Sequence, residues 1–368
     1  MKRRIFLSLL PSLGAMGSLL PGARAQAPLS PAAAATDGWR TFHVTTRIEI
    51  VAPDAPVRAW IPLPLDRDTG YYRLLENRWE GNALALARVV EPHYGGTLLS
   101  ASFTPDERAP VLEVRSRMQL RDRVKGDAAT GNAALETSLS PGDRSLYLQA
   151  THLLPTQGTV RDLAARITKG ADRDIDKARA IYEWVVENTA RDASVRGCGT
   201  GDINELLESG VFRGKCADLN GLFVALCRAS GVPARDVYGV RVAPSRLGFA
   251  SMGRAGDVSK GQHCRAEFYA EGTGWVAADP ADVRKVLLEE PGNLQMDDAR
   301  VRKIRDYLFG SWEGNWMPYN TAHDVSLPDS KGAPLAFLMY PQAEGSTGRR
   351  DALDPAGFRY SIHSQEES

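Results

Sequence analysis

The stretch Gly214-Lys215-Cys216-Ala217-Asp218-Leu219-Asn220-Gly221-Leu222-Phe223-Val224-Ala225-Leu226-Cys227-Arg228-Ala229-Ser230-Gly231-Val232-Pro233 decides how the chain is read. Leu219, Leu222, Phe223, Leu226 and Cys227 recur three and one apart, one apolar face of an α-helix. Gly231 and Pro233 stand where a left-handed cap and a helix stop belong, so the spacing predicts a helix from about Cys216 to Ser230. The Cys216 thiol then lies on the first turn, among unpaired backbone N–H groups. Their partial positive charge favours thiolate over thiol, and the same groups can receive an oxyanion. Cys227, on the apolar stripe, reads as core.

Downstream, Cys264, Ala266 and Phe268 alternate with His263, Arg265, Glu267 and Tyr269, the period of a strand with His263 on its polar face. Gly272-Thr273-Gly274 supplies a turn, and Trp275-Val276-Ala277-Ala278-Asp279-Pro280 returns. Folding this hairpin about residue 271 sets His263 opposite Asp279, where facing Cβ atoms lie roughly 4.5–5.5 Å apart. A carboxylate there fixes the imidazole tautomer while the other ring nitrogen takes the thiol proton. A lone helical cysteine is ordinarily a small buried hydrophobe, and a lone strand histidine is ordinarily structural. Cys216, His263 and Asp279 together, each in a context suited to its role, point to thiol-nucleophile catalysis.

Gly214-Lys215-Cys216-Ala217-Asp218, Leu222-Phe223, Arg228-Ala229-Ser230-Gly231-Val232-Pro233-Ala234-Arg235, and His263 with Glu267, Tyr269, Gly274-Trp275 and Asp279-Pro280 carry a resemblance. Over roughly residues 143–292 the chain resembles the bacterial transglutaminase-like superfamily, with several motifs in order and suitably spaced. The resemblance implies an α+β fold: a papain-like transglutaminase core, with a helix-borne cysteine packed on an antiparallel sheet. It implies Cys216 as nucleophile, His263 as base and acid, and Asp279 as orienter. It leaves open protein cross-linking, peptidase, amidase or glycanase chemistry, and a non-catalytic binding module. Cys264-Arg265 departs from the small and aromatic residues frequent after the histidine, and no side chain is identifiable as an oxyanion-hole partner.

The opening Met1-Lys2-Arg3-Arg4-Ile5-Phe6-Leu7, the apolar run from Leu9 to Leu20 and Ala23-Arg24-Ala25 read as an export signal over 1–25, with a twin-arginine character. A periplasmic or secreted protein is expected, without stable membrane insertion, because the run is short and broken by Pro11 and Gly14. The formal net charge is zero, and removing the signal's four cations leaves −4. No basic stripe with interleaved aromatics appears, which argues against a nucleic-acid partner. The expected partner is a peptide, protein or cell-wall amide substrate. No cofactor and no metal is expected: a zinc site from Cys198, Cys216, Cys264 and His263 suffers from the opposite facing of adjacent strand residues. In an exported protein, a Cys198–Cys264 disulfide bracing the cleft is the suggested use of two further thiols.

After the signal, 26–36 reads as a disordered leader. Phe42, Val44, Thr46, Ile48 and Ile50, and then Leu112, Val114, Ser116, Met118 and Leu120, alternate with polar residues, so 37–125 reads as a β-rich N-terminal domain. A linker over 126–142, a catalytic core over 143–292 and a C-terminal extension over 293–368 packing on that core complete the division. Ile175, Ala178, Ile181, Tyr182, Val185 and Val186 predict a helix capped by Asp174, and Asp202-Ile203-Asn204-Glu205 a second one closed by Gly210. The glycine-rich segment between Val242 and His263 is a flap or a plain loop, and Trp312, Trp316 and Tyr319 read as packing. The expected activity is hydrolysis of a peptide or amide bond through a cysteine acyl-thioester, with protein-glutamine cross-linking or a binding module as alternatives.

Overall fold

A computed structural model describes residues 38–126 and 138–367. The signal, the leader and most of the linker fall outside the described residues. The fold is mixed α+β with antiparallel sheets and a β-rich N-terminal region.

The long N-terminal strand Arg40–Ile50 alternates buried and solvent-facing residues, as its sequence requires, and pairs with Val111–Leu120 on one side. Its other neighbour is the C-terminal strand Phe358–Glu366. A second five-stranded sheet likewise joins Arg58–Pro62 to Gln342–Gly345. Ile48, Leu112 and Val114 of the first sheet pack against Ile61 and Leu99 of the second, forming a sandwich core. Chain from both ends therefore builds the same sheets.

The helix Cys216–Ala229 packs on a four-stranded antiparallel sheet ordered Gly274–Ala278, Gln262–Ala270, Ala234–Arg241 and Trp316–Asn320. Its apolar stripe meets the sheet, and Phe223 lies edge-on to Phe268 with ring centroids 6.2 Å apart. Burying each such ring contributes about 2–3 kcal/mol. The opposite face is buried too, because the helices Thr159–Ile167, Asp174–Asn188 and Ile203–Ser209 enclose it. Its end is a Schellman arrangement: Gly231 has φ +83°, its N–H donates to the Arg228 carbonyl, and the Val232 N–H donates to that of Cys227. Cys227 is buried in this core.

Local expectations fare unevenly. Asp202 caps its helix through the Glu205 N–H, and Gly210 closes it at φ +65°. Asp174 is the first helical residue rather than the cap, which is Arg173; its charge still favours the positive end of the helix. The strand returning from the hairpin ends at Ala278, before Asp279. Ala266 pairs with Ala278, so the hairpin is centred one residue later than expected and His263 is not directly opposite Asp279. The two stay on one face because the offset is even.

Gly239 pairs with His263 on one side and Pro318 on the other. A Cβ there would lie 2.3 Å from the Met317 carbonyl oxygen and 2.5 Å from the Trp316 ring. Among the described residues, no helix is long and apolar enough to cross a membrane. Gly239→Ala is expected to cost about 1–3 kcal/mol by overpacking, read as a lower urea midpoint at unchanged m value.

Candidate active site

The turn before Cys216 is shaped by a buried carboxylate. Asp218 accepts the Lys215 N–H at 2.8 Å with one oxygen and the Gly201 N–H at 2.9 Å with the other. Gly214 and Gly199 make room for it, since a Cβ at either would lie within 2.5 Å of the carboxylate side chain. The Ala217 N–H donates to the Cys198 carbonyl at 2.9 Å. The glycines around the motif thus set where the helix starts, and with it the sulfur.

Asp279 ends the hairpin and caps the next helix, Pro280–Glu289. One carboxylate oxygen accepts the Asp282 N–H at 3.1 Å and the Asn220 side-chain amide at 3.1 Å. The other meets His263 Nε2 at 2.7 Å. His263 and Cys216 line one cavity of about 480 Å³, close enough for the imidazole to lower the thiol pKa. With Nε2 engaged by Asp279, Nδ1 is the nitrogen left for sulfur. The structure therefore brings Cys216, His263 and Asp279 together.

Several partners were not singled out in the sequence. Asn220, one helical turn after Cys216, also donates to the Cys264 carbonyl at 2.9 Å and accepts the Ala281 N–H at 3.1 Å. It ties the helix, the histidine strand and the carboxylate loop together. Asp282 lies 3.5 Å from His263 Nε2, and one guanidinium nitrogen of Arg241, Nη2, donates to both of its carboxylate oxygens, at 2.6 and 2.7 Å. Arg241 stands two residues from Gly239, the strand partner of His263, and so shares its face. The Trp316 indole donates to the His263 carbonyl at 2.9 Å. Arg265, two residues after His263, stacks over Trp316 at 4.7 Å and comes within 3.8 Å of Asp279. An i,i+3 pair, Asp279 and Asp282, and an i,i+4 pair, Cys216 and Asn220, were the available signals.

The charges favour an ion pair. Hydrogen bonds from Cys198 and Cys264 hold the Cys216 thiol well below its ordinary value, burial opposes them, and His263 adds a hydrogen bond and its charge. Burial and Arg241 push the His263 pKa down, yet the carboxylates of Asp282 and Asp279 outweigh them and raise it. Both shifts act in the direction of a thiolate beside an imidazolium.

All four cysteines are free. Cys198 and Cys264 are not bonded to each other: Cys198 Sγ donates to the Gln262 carbonyl at 3.2 Å, and the Cys216 thiol lies 3.9 Å from the Cys198 carbonyl. His263, Asp279 and Asp282 place potential ligand atoms within 4.8 Å of one another, and Arg241 forms an ion pair with Asp282 there. The segment between Val242 and His263 lines the cavity through Ser251, Arg254 and Lys260, and is anchored where Gly256–Asp257 pairs with the C-terminal strand. Trp312, Trp316 and Tyr319 are buried as packing. His323 is buried near Asp236 at 3.3 Å, while Asp324 faces solvent and accepts the His152 N–H.

The family model described as the transglutaminase-like superfamily matches residues 161–280. An uncharacterised protein of Haemophilus influenzae is 35% identical over 347 residues, covering 88% of this chain and 91% of the relative. The crystal structure of a candidate cysteine protease from Cytophaga hutchinsonii superposes with a TM-score of 0.51 at 14% identity, covering 90% of this chain and 91% of that one. The periplasmic domain of TgpA from Pseudomonas aeruginosa gives 0.31 at 18% identity over 64% of this chain and 89% of that one.

Iodoacetamide is expected to alkylate Cys216 with a midpoint well below the roughly 8.5 of free cysteine, because a lowered thiol pKa brings the thiolate in at lower pH. In His263→Ala the midpoint moves upward; mass mapping of the labelled peptide across pH checks both. Asn220→Ala leaves a buried carboxylate and a carbonyl short of a donor and is expected to cost about 1–3 kcal/mol, measured by denaturant unfolding.

Proposed function

The chain belongs to the transglutaminase-like superfamily, and from that premise we propose that it is an exported, thiol-dependent acyl-transfer enzyme that hydrolyses peptide or amide bonds. The observation that carries this reading is that Cys216 and His263 line one cavity while Asp279 holds the His263 ring at 2.7 Å.

The Cys216 thiolate attacks the amide carbonyl carbon, and the electron pair moves to the oxygen. The N-terminal end of the Cys216–Ala229 helix faces that oxyanion. The Ala217 N–H is already spent on Cys198, which leaves the Cys216 N–H as the donor assigned to it. The tetrahedral species collapses, the C–N bond breaks, and the imidazolium of His263 gives its proton to the departing amine. A thioester remains on Cys216. Neutral His263 then takes a proton from water, whose oxygen attacks the thioester, and the carboxylic acid leaves as the thiolate returns. Asp279 holds the ring in the required tautomer throughout.

An amine in place of that water would give transglutamination by the same first half-reaction. Hydrolysis is preferred because water is always present and no separate amine site marks the chain. The export assignment, including the twin-arginine route and the periplasm, rests on the sequence of residues 1–25, and the division at 37–125, 126–142, 143–292 and 293–368 on the patterning described above.

Incubating the mature chain with peptide and amine donors and weighing the products is expected to show cleavage and a Cys216 thioester, both absent in Cys216→Ala. Mass gain from amine without cleavage would reverse the preference for hydrolysis. No acylation of any kind would favour a binding module. Asp279→Asn keeps a helix-capping side chain but loses the charge and is expected to lower kcat by about 10²–10⁴.

A further inference from the structure

The wall of the cavity beside Cys216 is far more basic than the chain as a whole. Formal charge over the full sequence is zero, yet seven arginines and lysines line this cavity against a single carboxylate, Glu289. Arg191 and Lys285 share Glu289, Arg241 is neutralised by Asp282, and Arg196 pairs with Asp351 at 2.8 Å. Lys215, Arg254 and Lys260 remain; among the described residues none of these three has an ion-pair partner within 4 Å. Asp192 and Asp257 feel Lys215 and Arg254 from outside the cavity lining. Lys215 directly precedes Cys216, and Arg254 and Lys260 lie on the segment leading to His263, so cations flank the sulfur from both chain segments of the site.

Lys260, Ser259, Leu353 and Tyr360 also line a second hollow of about 470 Å³, whose floor includes the apolar Ala352, Pro355 and Phe358. The two hollows share these four residues and so adjoin along one groove wall. Like charges concentrated in a walled cleft raise the local concentration of the opposite charge.

We propose that this groove binds an acidic peptide, with side-chain carboxylates on Lys215, Arg254 and Lys260, an amide over Cys216, and apolar residues in the second hollow. This assignment of substrate class rests on Cys216 being the nucleophile, but binding can be measured without its chemistry.

Fluorescence anisotropy on the full mature chain carrying Cys216→Ala compares three labelled peptides of equal length: one rich in Glu, its Gln counterpart and its Lys counterpart. The Glu peptide is expected to bind at least about tenfold tighter than the Gln peptide, with Lys weakest, and the preference shrinks in about 0.5 M salt. Arg254→Gln and Lys260→Gln are each expected to weaken the Glu peptide about three- to fivefold, with little effect on the Gln peptide, and Arg254→Lys restores most of the loss. Equal binding of the Glu and Gln peptides, no binding of the Glu peptide, or a preference that survives both substitutions overturns the proposal. So does tighter binding to phosphatidylglycerol vesicles than to the Glu peptide, which would reassign the cations to a membrane surface. Failure of the catalytic reading is separate: it appears as absence of a Cys216 thioester in the unsubstituted protein, whatever the peptide preference.

Discussion

A fully buried carboxylate must have its lone pairs filled, and Asp279 meets that demand with four groups from three parts of the chain. It caps its own helix through Asp282, accepts Asn220 from the cysteine helix, holds the His263 ring, and stands near Arg265. Leaving such a group short of partners costs more than any one of these bonds returns. The positions of helix, strand and ring are therefore coupled: each is where the carboxylate requires it. A catalytic arrangement needs this kind of over-determination, because reacting groups held loosely lose the benefit of proximity.

The region behind the site is dense in buried charge. Arg241 with Asp282, and Glu267 with Arg235 at 2.6 Å and with Arg123, sit in the interior of a chain that could have used apolar residues there. Buried ion pairs are weak sources of stability. Around His263 they have an electrostatic consequence instead: two carboxylates outweigh burial and the Arg241 charge and raise the imidazole pKa, beside a thiol whose pKa is lowered. Arg123 reaches Glu267 and the Trp275 carbonyl from the end of the N-terminal β-region, linking that region to the sheet under the site.

The cavity itself is a product of chain segments distant in sequence. Tyr340, Leu353 and Tyr360 come from the C-terminal section, Arg196 to Cys198 from the loop before the cysteine helix, and Ser251 to Gln262 from the segment before the histidine. That last segment is held by pairing with the C-terminal strand, which itself completes the N-terminal sheet. The groove walls thus share a scaffold with the sandwich, and the glycines of the segment serve a shaped surface rather than a free loop.

Local periodicity was enough for the helix bearing Cys216, because apolar spacing and the Gly231 cap act within a few residues of one another. Strand alternation put His263 on the polar face of its strand, and the even spacing of the hairpin kept Asp279 on the same face. Their register was misjudged by one residue of centring, since the turn sets it and the pattern of side chains does not. Asn220, Arg241, Asp282 and Trp316 looked ordinary in sequence: a polar helix residue, a strand-end arginine, a first-turn acid and an aromatic. The sequence by itself determined the main elements around the site, the family and the three candidate site residues, all properties encoded over short spans. Only the tertiary structure decided which buried groups complete their hydrogen bonds, that two further thiols gather around the Cys216 sulfur, and that cations gather along the groove. Those depend on distances between residues far apart in the chain, which only packing brings within hydrogen-bond and Coulomb range.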